Sequence, residues 1–226
     1  MGGTLIRYRT YGEAKRMYRN DPTEAEKNSG VAREILDKFF FKFEEERRKT
    51  LPQLVETRLQ SVLAGFLKDN GIEKTEKEIK RIVEKLFPYF TNGQPYPEAK
   101  HVLEELRAKR YRLGLVSNTF LPSDLHINDL KRFGLYDAFE ATVFSSDLNW
   151  RKPGYMIYHH MVHTELKCRF EECLFVGDQV EKDVLAPKEL GMQATLLRRD
   201  GPFLGKEDII QIKNLEGIFQ YLPKRA

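Results

Sequence analysis

Short apolar segments alternate with helical segments through the second half of the chain, and this alternation limits the possible folds most strongly. The helical stretch EAKHVLEELRAKR leads to the apolar run RLGLVSN. Three further runs, ATVFSS, CLFVGD and ATLLRR, each follow another helical stretch. Strands that are separated by helices in this way pair in parallel through right-handed crossovers. The pattern therefore predicts an α/β domain with a parallel sheet.

The first part of the chain has a different pattern. From about Tyr11 to Phe90, apolar residues recur at spacings of three and four, which indicates amphipathic helices. The turn-forming segment TNGQPYP, Thr91 to Pro97, marks the end of this helical region. We therefore predict a helical domain at 11–92, inserted into a discontinuous α/β core that consists of 1–10 and 93–226.

The composition narrows the class of protein. The 226 residues include 38 basic and 34 acidic side chains of interspersed sign, without a basic stripe interleaved with aromatics, so we expect no nucleic-acid partner. No apolar run approaches the ~20 residues that a membrane span needs, so we expect no membrane partner. Cys168 and Cys173 match no metal or redox spacing, which favours a reduced, cytoplasmic protein. The oligomeric state is not legible from the sequence.

In parallel α/β sheets, ligands bind at the carboxyl ends of the strands. Three groups of polar residues follow the apolar runs at such ends. These are Ser117 with Asn118, the residues from Ser145 to Asp147, and Gly177 with Asp178. We expect the chemistry of the protein to lie among them.

The segment GDQVEKD contains two aspartates, Asp178 and Asp183, five residues apart and directly after a strand. If the intervening turn folds back, both carboxylates face one point above the sheet. Hard oxygen ligands with open positions suit Mg²⁺. The alternative is that Asp178 caps the next helix and that Asp183 is merely exposed.

Ser117 and Lys152 are candidates for binding phosphate. Ser117 stands just past a buried strand, where its hydroxyl and the neighbouring backbone N–H groups could bind phosphate oxygens, although a turn serine or helix cap is the simpler interpretation. Lys152 belongs to the motif RKP, and a lysine held by the following proline could neutralise charge on a phosphate. Each residue alone is weak evidence, since surface lysines and turn serines are common.

The order of these three elements resembles the haloacid dehalogenase-like hydrolase superfamily. Serine at one strand end, lysine-proline after the next strand and GDxxxxD after the third are similar to its second, third and fourth motifs, over roughly Tyr96 to Gly201. The resemblance implies a Rossmann-like parallel core with an inserted, all-helical cap domain. The helical region at 11–92 stands in the position of that cap.

The first six residues, MGGTLI, look like the end of the family's first motif. That motif is a strand ending in D-x-D-G-T-L, whose first aspartate is the nucleophile. Aligning GTL with Gly3, Thr4 and Leu5 puts Gly2 at the second aspartate and the nucleophile just before Met1. Without that strand, backbone groups on two buried strands would lose their partners, at ~1–3 kcal/mol each. We therefore expect that the sequence is shortened at its start.

The resemblance implies a Mg²⁺-dependent phosphatase that acts on a small phosphate monoester through an aspartyl-phosphate. Asp178 and the Gly2 carbonyl would hold Mg²⁺, with Asp183 orienting a metal-bound water. Gly3, Ser117, Asn118 and Lys152 would bind the phosphate, and of these Ser117 and Lys152 would have the catalytic roles.

Two other functions remain open. Gly2 replaces the usual general acid or base, as in some family members that cleave carbon–halogen bonds, so a metal-independent 2-haloacid dehalogenase is one alternative. A catalytically silent binding protein with the same fold is the other, because both carboxylates of the first motif are missing from the sequence. The substrate is not legible from the sequence.

Overall fold

A short two-stranded ribbon joins the two ends of the helical region. The computed structural model describes residues 1–9, 11–20, 22–205 and 208–222. In the ribbon, β1 (Ile6–Arg7) pairs antiparallel with β2 (Gln94–Pro95). Five helices lie between these strands: α1 (Tyr11–Asn20), α2 (Pro22–Ser29), α3 (Arg33–Thr50), α4 (Leu59–Asp69) and α5 (Glu76–Phe90). A 3₁₀ turn, Leu51–Gln53, follows α3.

The helical region has its own hydrophobic core. Helix α5 begins at a capping box, in which Thr75 and Glu78 satisfy each other's backbone N–H groups. Its apolar face packs against α1, α2 and α4, in a cluster where Phe39, Phe43 and Leu63 are fully buried. The cluster draws nearly all its buried members from residues 14–90, which supports the predicted cap boundary at 11–92. We retain that boundary as a proposal.

Among the described residues of the second half, five parallel strands form two groups. The strands are β3 (Gly114–Ser117), β4 (Ala141–Phe144), β5 (Leu174–Gly177), β6 (Gln193–Leu197) and β7 (Ile210–Ile212). β3 pairs with β4, and β6 lies between β5 and β7. Parallel pairing is confirmed, and β7 is an addition that the sequence pattern did not indicate.

The connecting helices of this core agree with the predicted alternation. They are α6 (Ala99–Ala108), α7 (Ser123–Arg132), α8 (Ser145–Leu148), α9 (Tyr155–His159) and α10 (Ala186–Glu189). A π-helical turn at His160–Glu165 extends α9, and another at Val180–Leu185 precedes α10. 3₁₀ turns lie at Tyr136–Ala138, Phe170–Glu172 and Leu215–Gln220. The run ATVFSS leaves the sheet earlier than expected, because Ser145 starts α8 and its hydroxyl bonds to other loops.

A slot separates β3 from β5. Within the described residues, each of the two strands has a strand partner on one side only. All four residues of both strands line a cavity of about 650 Å³, and Gly114, Val116, Leu174 and Phe175 also line a second cavity of about 680 Å³. The slot is therefore bounded by two parallel strand edges whose backbone groups are available to a further strand.

None of the described helices has both the length and the apolar character that a membrane crossing requires.

Candidate active site

One cavity collects the residues that the sequence analysis proposed to bind phosphate and metal, although Ser145 to Asp147, the third group at a strand end, do not line it. It lies at the carboxyl ends of β3 and β5 and has a volume of about 650 Å³; we call it the strand-end cavity. Its lining includes Gly2, Gly3, Ser117, Asn118, Lys152, Asp178 and Asp183. Residues from four separate parts of the chain therefore converge on one space, as the expectation for strand ends requires.

Asp178 follows β5 and lies against the first turn of the chain. The Thr4 hydroxyl donates to its carboxylate over 3.4 Å. Gly3 adopts a φ of 77°, and a Cβ at that position would overlap with the Asp178 carboxylate. Glycine at position 3 is thus required both by backbone conformation and by the close approach of the carboxylate. Burial, and next the charge of Asp183, raise the pKa of Asp178.

Lys152 and Asp183 form a buried ion pair. The Lys152 Nζ lies 2.6 Å from Asp183 Oδ1, and the two side chains are 9% and 4% exposed. The other Asp183 oxygen accepts the Gln179 N–H over 2.9 Å. A Cβ on Gly177 would overlap with Asp183, so glycine at the end of β5 makes room for this carboxylate. The pair holds the lysine at the wall of the cavity.

Asn118 has a positioning contact that its place in the sequence does not reveal. Its side-chain amide donates to the Lys152 carbonyl and its oxygen accepts the Lys152 N–H, both over 2.8 Å. The side chain is therefore committed to the loop that carries Lys152, which leaves the main chain for the predicted phosphate contact. Ser117, the last residue of β3, is 6% exposed and lines the cavity directly.

The turn MGGTLI is built around one carbonyl. The Met1 carbonyl accepts the N–H groups of Thr4, Leu5 and Ile6, and Gly2 pairs with Ile6 in an isolated bridge. This turn brings Met1 to the wall of the cavity.

The donor set suits a divalent cation at Asp178. Desolvation, and next the repulsion from the Asp183 carboxylate, raise the pKa of Asp178, and a cation between the two carboxylates would stabilise both charges. Both oxygens of Asp183 already accept hydrogen bonds, whereas Asp178 faces the turn at Gly2 and Gly3. Within the described ranges no three His, Cys, Asp or Glu residues form a metal cluster. The remaining ligands would therefore be carbonyl, substrate and water oxygens, as is usual for Mg²⁺.

A second, adjoining cavity contains functional candidates that the sequence analysis missed. It has a volume of about 370 Å³, and we call it the entrance cavity; it shares Ser117 and Asn118 with the strand-end cavity. Glu56 lies in its wall and is 1% exposed as a side chain. The sequence offers no clue to Glu56, which stands in a connecting segment, and only the RKP motif points to its partner Arg151.

His126 is another buried group beside the entrance cavity. Its Nε2 lies 2.7 Å from the Thr119 hydroxyl, and its ring stacks on Phe144. Burial lowers the pKa of His126 to about 3. The imidazole is therefore neutral at physiological pH and serves as a packed, hydrogen-bonded wall.

The sequence also matches known proteins with phosphatase names. Over 107 residues it is 28% identical to a glyceraldehyde 3-phosphate phosphatase of Methanothermobacter thermautotrophicus, covering 47% of this chain and 46% of that protein. Over 100 residues it is 27% identical to a ribulose-1,5-bisphosphate 5-phosphatase of Halopiger xanaduensis, covering 44% of this chain and 41% of that protein. The chain thus spans about half the length of the curated relatives it matches.

Solved structures share the fold over nearly the whole chain. A 2-haloacid dehalogenase from Pseudomonas syringae pv. Tomato DC3000 superimposes with a TM-score of 0.66 at 21% identity, covering 97% of this chain and 94% of that one. An HAD phosphatase from Thermococcus onnurineus gives a TM-score of 0.59 at 21% identity, covering 98% and 94%. At these identities the likeness shows the fold alone.

A family model decides the membership. The model described as haloacid dehalogenase-like hydrolase matches residues 26–197, which include the helical region and the loops that carry Ser117, Lys152 and Asp178. Together with the strand order and the shared fold, this match confirms the resemblance read from the motifs. The chain belongs to the haloacid dehalogenase-like hydrolase family.

Proposed function

We propose that the protein is a Mg²⁺-dependent phosphatase that acts on small phosphate monoesters. The observation that carries the proposal is the strand-end cavity, where a fixed lysine, a strand-end serine and an aspartate with a raised pKa line the same space. A cation-binding carboxylate beside a cationic side chain is suited to a phosphoryl group. The phosphatase names of the partial relatives are consistent with it.

The roles of the residues follow from their contacts. Ser117 and Lys152 bind the phosphoryl oxygens, with the main chain of Gly3 and Asn118 beside them. Asp178 and the Gly2 carbonyl would hold Mg²⁺. Asp183 orients Lys152 and would also orient a water beside the metal. When bound, Mg²⁺ would offset negative charge on the phosphoryl group.

The nucleophile is proposed to be an aspartate on a strand that fills the slot between β3 and β5. Both edges of the slot run parallel toward the strand-end cavity, and the Met1 turn lies at that end. The carboxylate attacks phosphorus while the ester P–O bond breaks, and the alcohol leaves with a proton from water, since Gly2 provides no acid. Water then attacks the aspartyl-phosphate, which releases inorganic phosphate and the free carboxylate.

The test adds the proposed strand, with its aspartate, to the protein. Since β3 and β5 have four residues each, one form carries four apolar residues and an aspartate directly before Met1, and its matched control carries asparagine instead. Hydrolysis of p-nitrophenyl phosphate is measured with Mg²⁺ and with chelator. We expect Mg²⁺-dependent activity from the aspartate form, lower in the asparagine form on the order of 10³-fold or more.

The other outcomes separate the alternatives. Halide release from 2-chloropropionate without metal, in place of phosphate release, would identify a dehalogenase. Absence of either activity in both forms would favour a silent member of the family and overturn the proposal. Asp178→Asn in the aspartate form should abolish the Mg²⁺-dependent activity.

A further inference from the structure

Basic side chains dominate the wall of the entrance cavity. Among the described residues that line it, four are basic, namely Arg9, Arg47, Arg151 and Lys182, and one, Glu56, is acidic. The cavity adjoins the proposed phosphate site through Ser117 and Asn118. A small ligand held at the strand-end cavity would therefore extend into a positively charged space.

Glu56 contacts both arginines of the cavity wall. Its Oε1 lies 3.1 Å from Arg151 Nη1 and 3.6 Å from Arg47 Nη1, while Oε2 accepts the Ser145 hydroxyl over 2.6 Å. One carboxylate therefore orients two guanidinium groups at the same place. The setting is partly buried, so charge interactions with a ligand are strong there.

The arginines are also held by packing. The Arg47 guanidinium lies over the Phe120 ring, 4.8 Å from its centroid, and the Arg47 and Arg151 side chains are 19% and 11% exposed. Arg47 comes from α3 of the helical region and Arg151 from the loop beside Lys152. The site is therefore preorganised, and it joins the two halves of the structure across the cavity.

Lys182 adds to the positive potential. Burial, and next the charge of Arg151, lower the pKa of Lys182, whereas the charge of Asp183 raises it. Lys182 and Arg151 are thus close enough to repel each other at the cavity wall, a condition that an anionic ligand relieves.

We propose that Arg47 and Arg151, held by Glu56, bind a second anionic group of the substrate. This inference rests on the proposed phosphatase function and deepens it: the preferred substrates are small phosphate monoesters that carry a carboxylate or a second phosphate. Guanidinium groups suit both, because they donate in a planar fork to two oxygens. Phosphate monoesters whose aryl or alkyl group carries no charge would bind through the phosphate alone.

The test compares three non-hydrolysable probes by titration calorimetry in the presence of Mg²⁺. The probes are propylphosphonate, 3-phosphonopropionate and propane-1,3-diphosphonate, which present one anionic group, an added carboxylate and an added phosphonate. We expect the two probes with an added group to bind at least about tenfold more tightly than propylphosphonate. The difference in affinity between 3-phosphonopropionate and propane-1,3-diphosphonate shows whether the site prefers a carboxylate or a phosphonate.

Variants assign the effect to the arginines. Arg151→Met and Arg47→Met should each remove most of the preference while leaving the affinity for propylphosphonate unchanged. Arg33→Met is the matched control, since Arg33 is an exposed α3 residue paired with Asp37 and should behave as wild type. Circular dichroism checks that each variant is folded, and raising the salt concentration should reduce the preference in the wild-type protein as well.

Each result decides the proposal. Equal affinity for all three probes would overturn the second anion site while leaving the phosphatase proposal intact. A preference that persists in both arginine variants would overturn the assignment to these residues. Failure of every phosphonate to bind would overturn the proposed function, and the second site with it.

Discussion

At the scale of single residues, the buried pair of Lys152 and Asp183 shows how two opposite charges are stabilised in the candidate active site. Both side chains are nearly inaccessible, and the lysine also lies over the Phe175 ring, 5.0 Å from its centroid. Two charges removed from water depend on each other, because neither has bulk solvent to replace its partner. The pair therefore fixes the lysine at the cost of making both residues sensitive to substitution.

Removal of the lysine charge alone should be strongly destabilising. Lys152→Met leaves Asp183 buried without its cation, and we expect the free energy of unfolding to fall by about 3 kcal/mol. The double variant with Asp183→Asn should recover part of that loss, because the asparagine keeps the Gln179 contact without a charge. Urea denaturation measures both. Lys49→Met, which breaks an exposed pair with Glu46, should change little. A double variant less stable than the single one would contradict the argument.

His126 should make stability depend on pH in the acid range. Its pKa is about 3 in the folded protein and 6.5 as an unperturbed side chain, so the unfolded chain binds a proton first as the pH falls. The contribution is complete above pH 6.5 and decreases toward pH 3, by up to ~1.4 kcal/mol per pH unit. Burial lowers the pKa of His126, and the charge of Asp124 opposes this effect.

Denaturation at several pH values tests this expectation. His126→Phe keeps a stacking ring but removes the titration, so its unfolding free energy should vary less steeply between pH 4 and pH 6.5 than that of the wild type. Thr119→Val is the control: it removes the hydroxyl partner but keeps the imidazole, and its slope should remain. If the unfolding free energy changes with pH equally steeply in the wild type and in His126→Phe, the histidine does not titrate as argued.

At the scale of elements, the predicted helices and strands are found where their periodicity is strong. The helices of the first half and the first four parallel strands follow the apolar patterns. β7 was missed because its three residues are too few to show an alternation, and ATVFSS was too long because Ser145 bonds to Glu56. Local pattern fixes an element's interior, whereas its ends depend on tertiary partners.

Two glycines in different elements should respond in opposite ways to alanine. Gly65 lies on the exposed side of α4, where an added Cβ would meet open space, so Gly65→Ala should raise stability by up to about 1 kcal/mol. Gly177 ends β5 against Asp183, so Gly177→Ala should lower stability by about 1–3 kcal/mol through overpacking. Thermal unfolding of both variants provides the comparison. An unchanged melting temperature for Gly177→Ala would contradict the packing argument.

At the scale of the whole molecule, the helical region is attached to the core through the segment around Glu56. The Glu56 N–H donates to the Asn149 carbonyl, the Arg151 N–H donates to the Leu54 carbonyl, and the Leu59 N–H donates to the Phe120 carbonyl. The Glu56 side chain adds contacts to Arg47, Arg151 and Ser145. One residue thus links both halves above the candidate active site.

Glu56→Gln should loosen this attachment without unfolding either half. We expect amide hydrogen exchange at residues 56, 59 and 151 to accelerate by about tenfold or more, because the two arginines lose their carboxylate. Amides in the centre of α5 and in β6 should keep their protection. Glu46→Gln, which breaks an exposed pair with Lys42, is the matched control. Uniform acceleration across both halves would indicate global destabilisation instead.

The sequence alone determined the parallel α/β core, the inserted helical region and the residues that gather in the strand-end cavity. It could do so because apolar periodicity is local and because carboxyl ends of parallel strands meet at one edge. Only the tertiary structure decided that Asn118 holds the Lys152 loop, that Glu56 joins two arginines and that a slot lies between β3 and β5. These contacts join residues far apart along the chain, so no spacing in the sequence records them; they exist only once packing has brought the charges together.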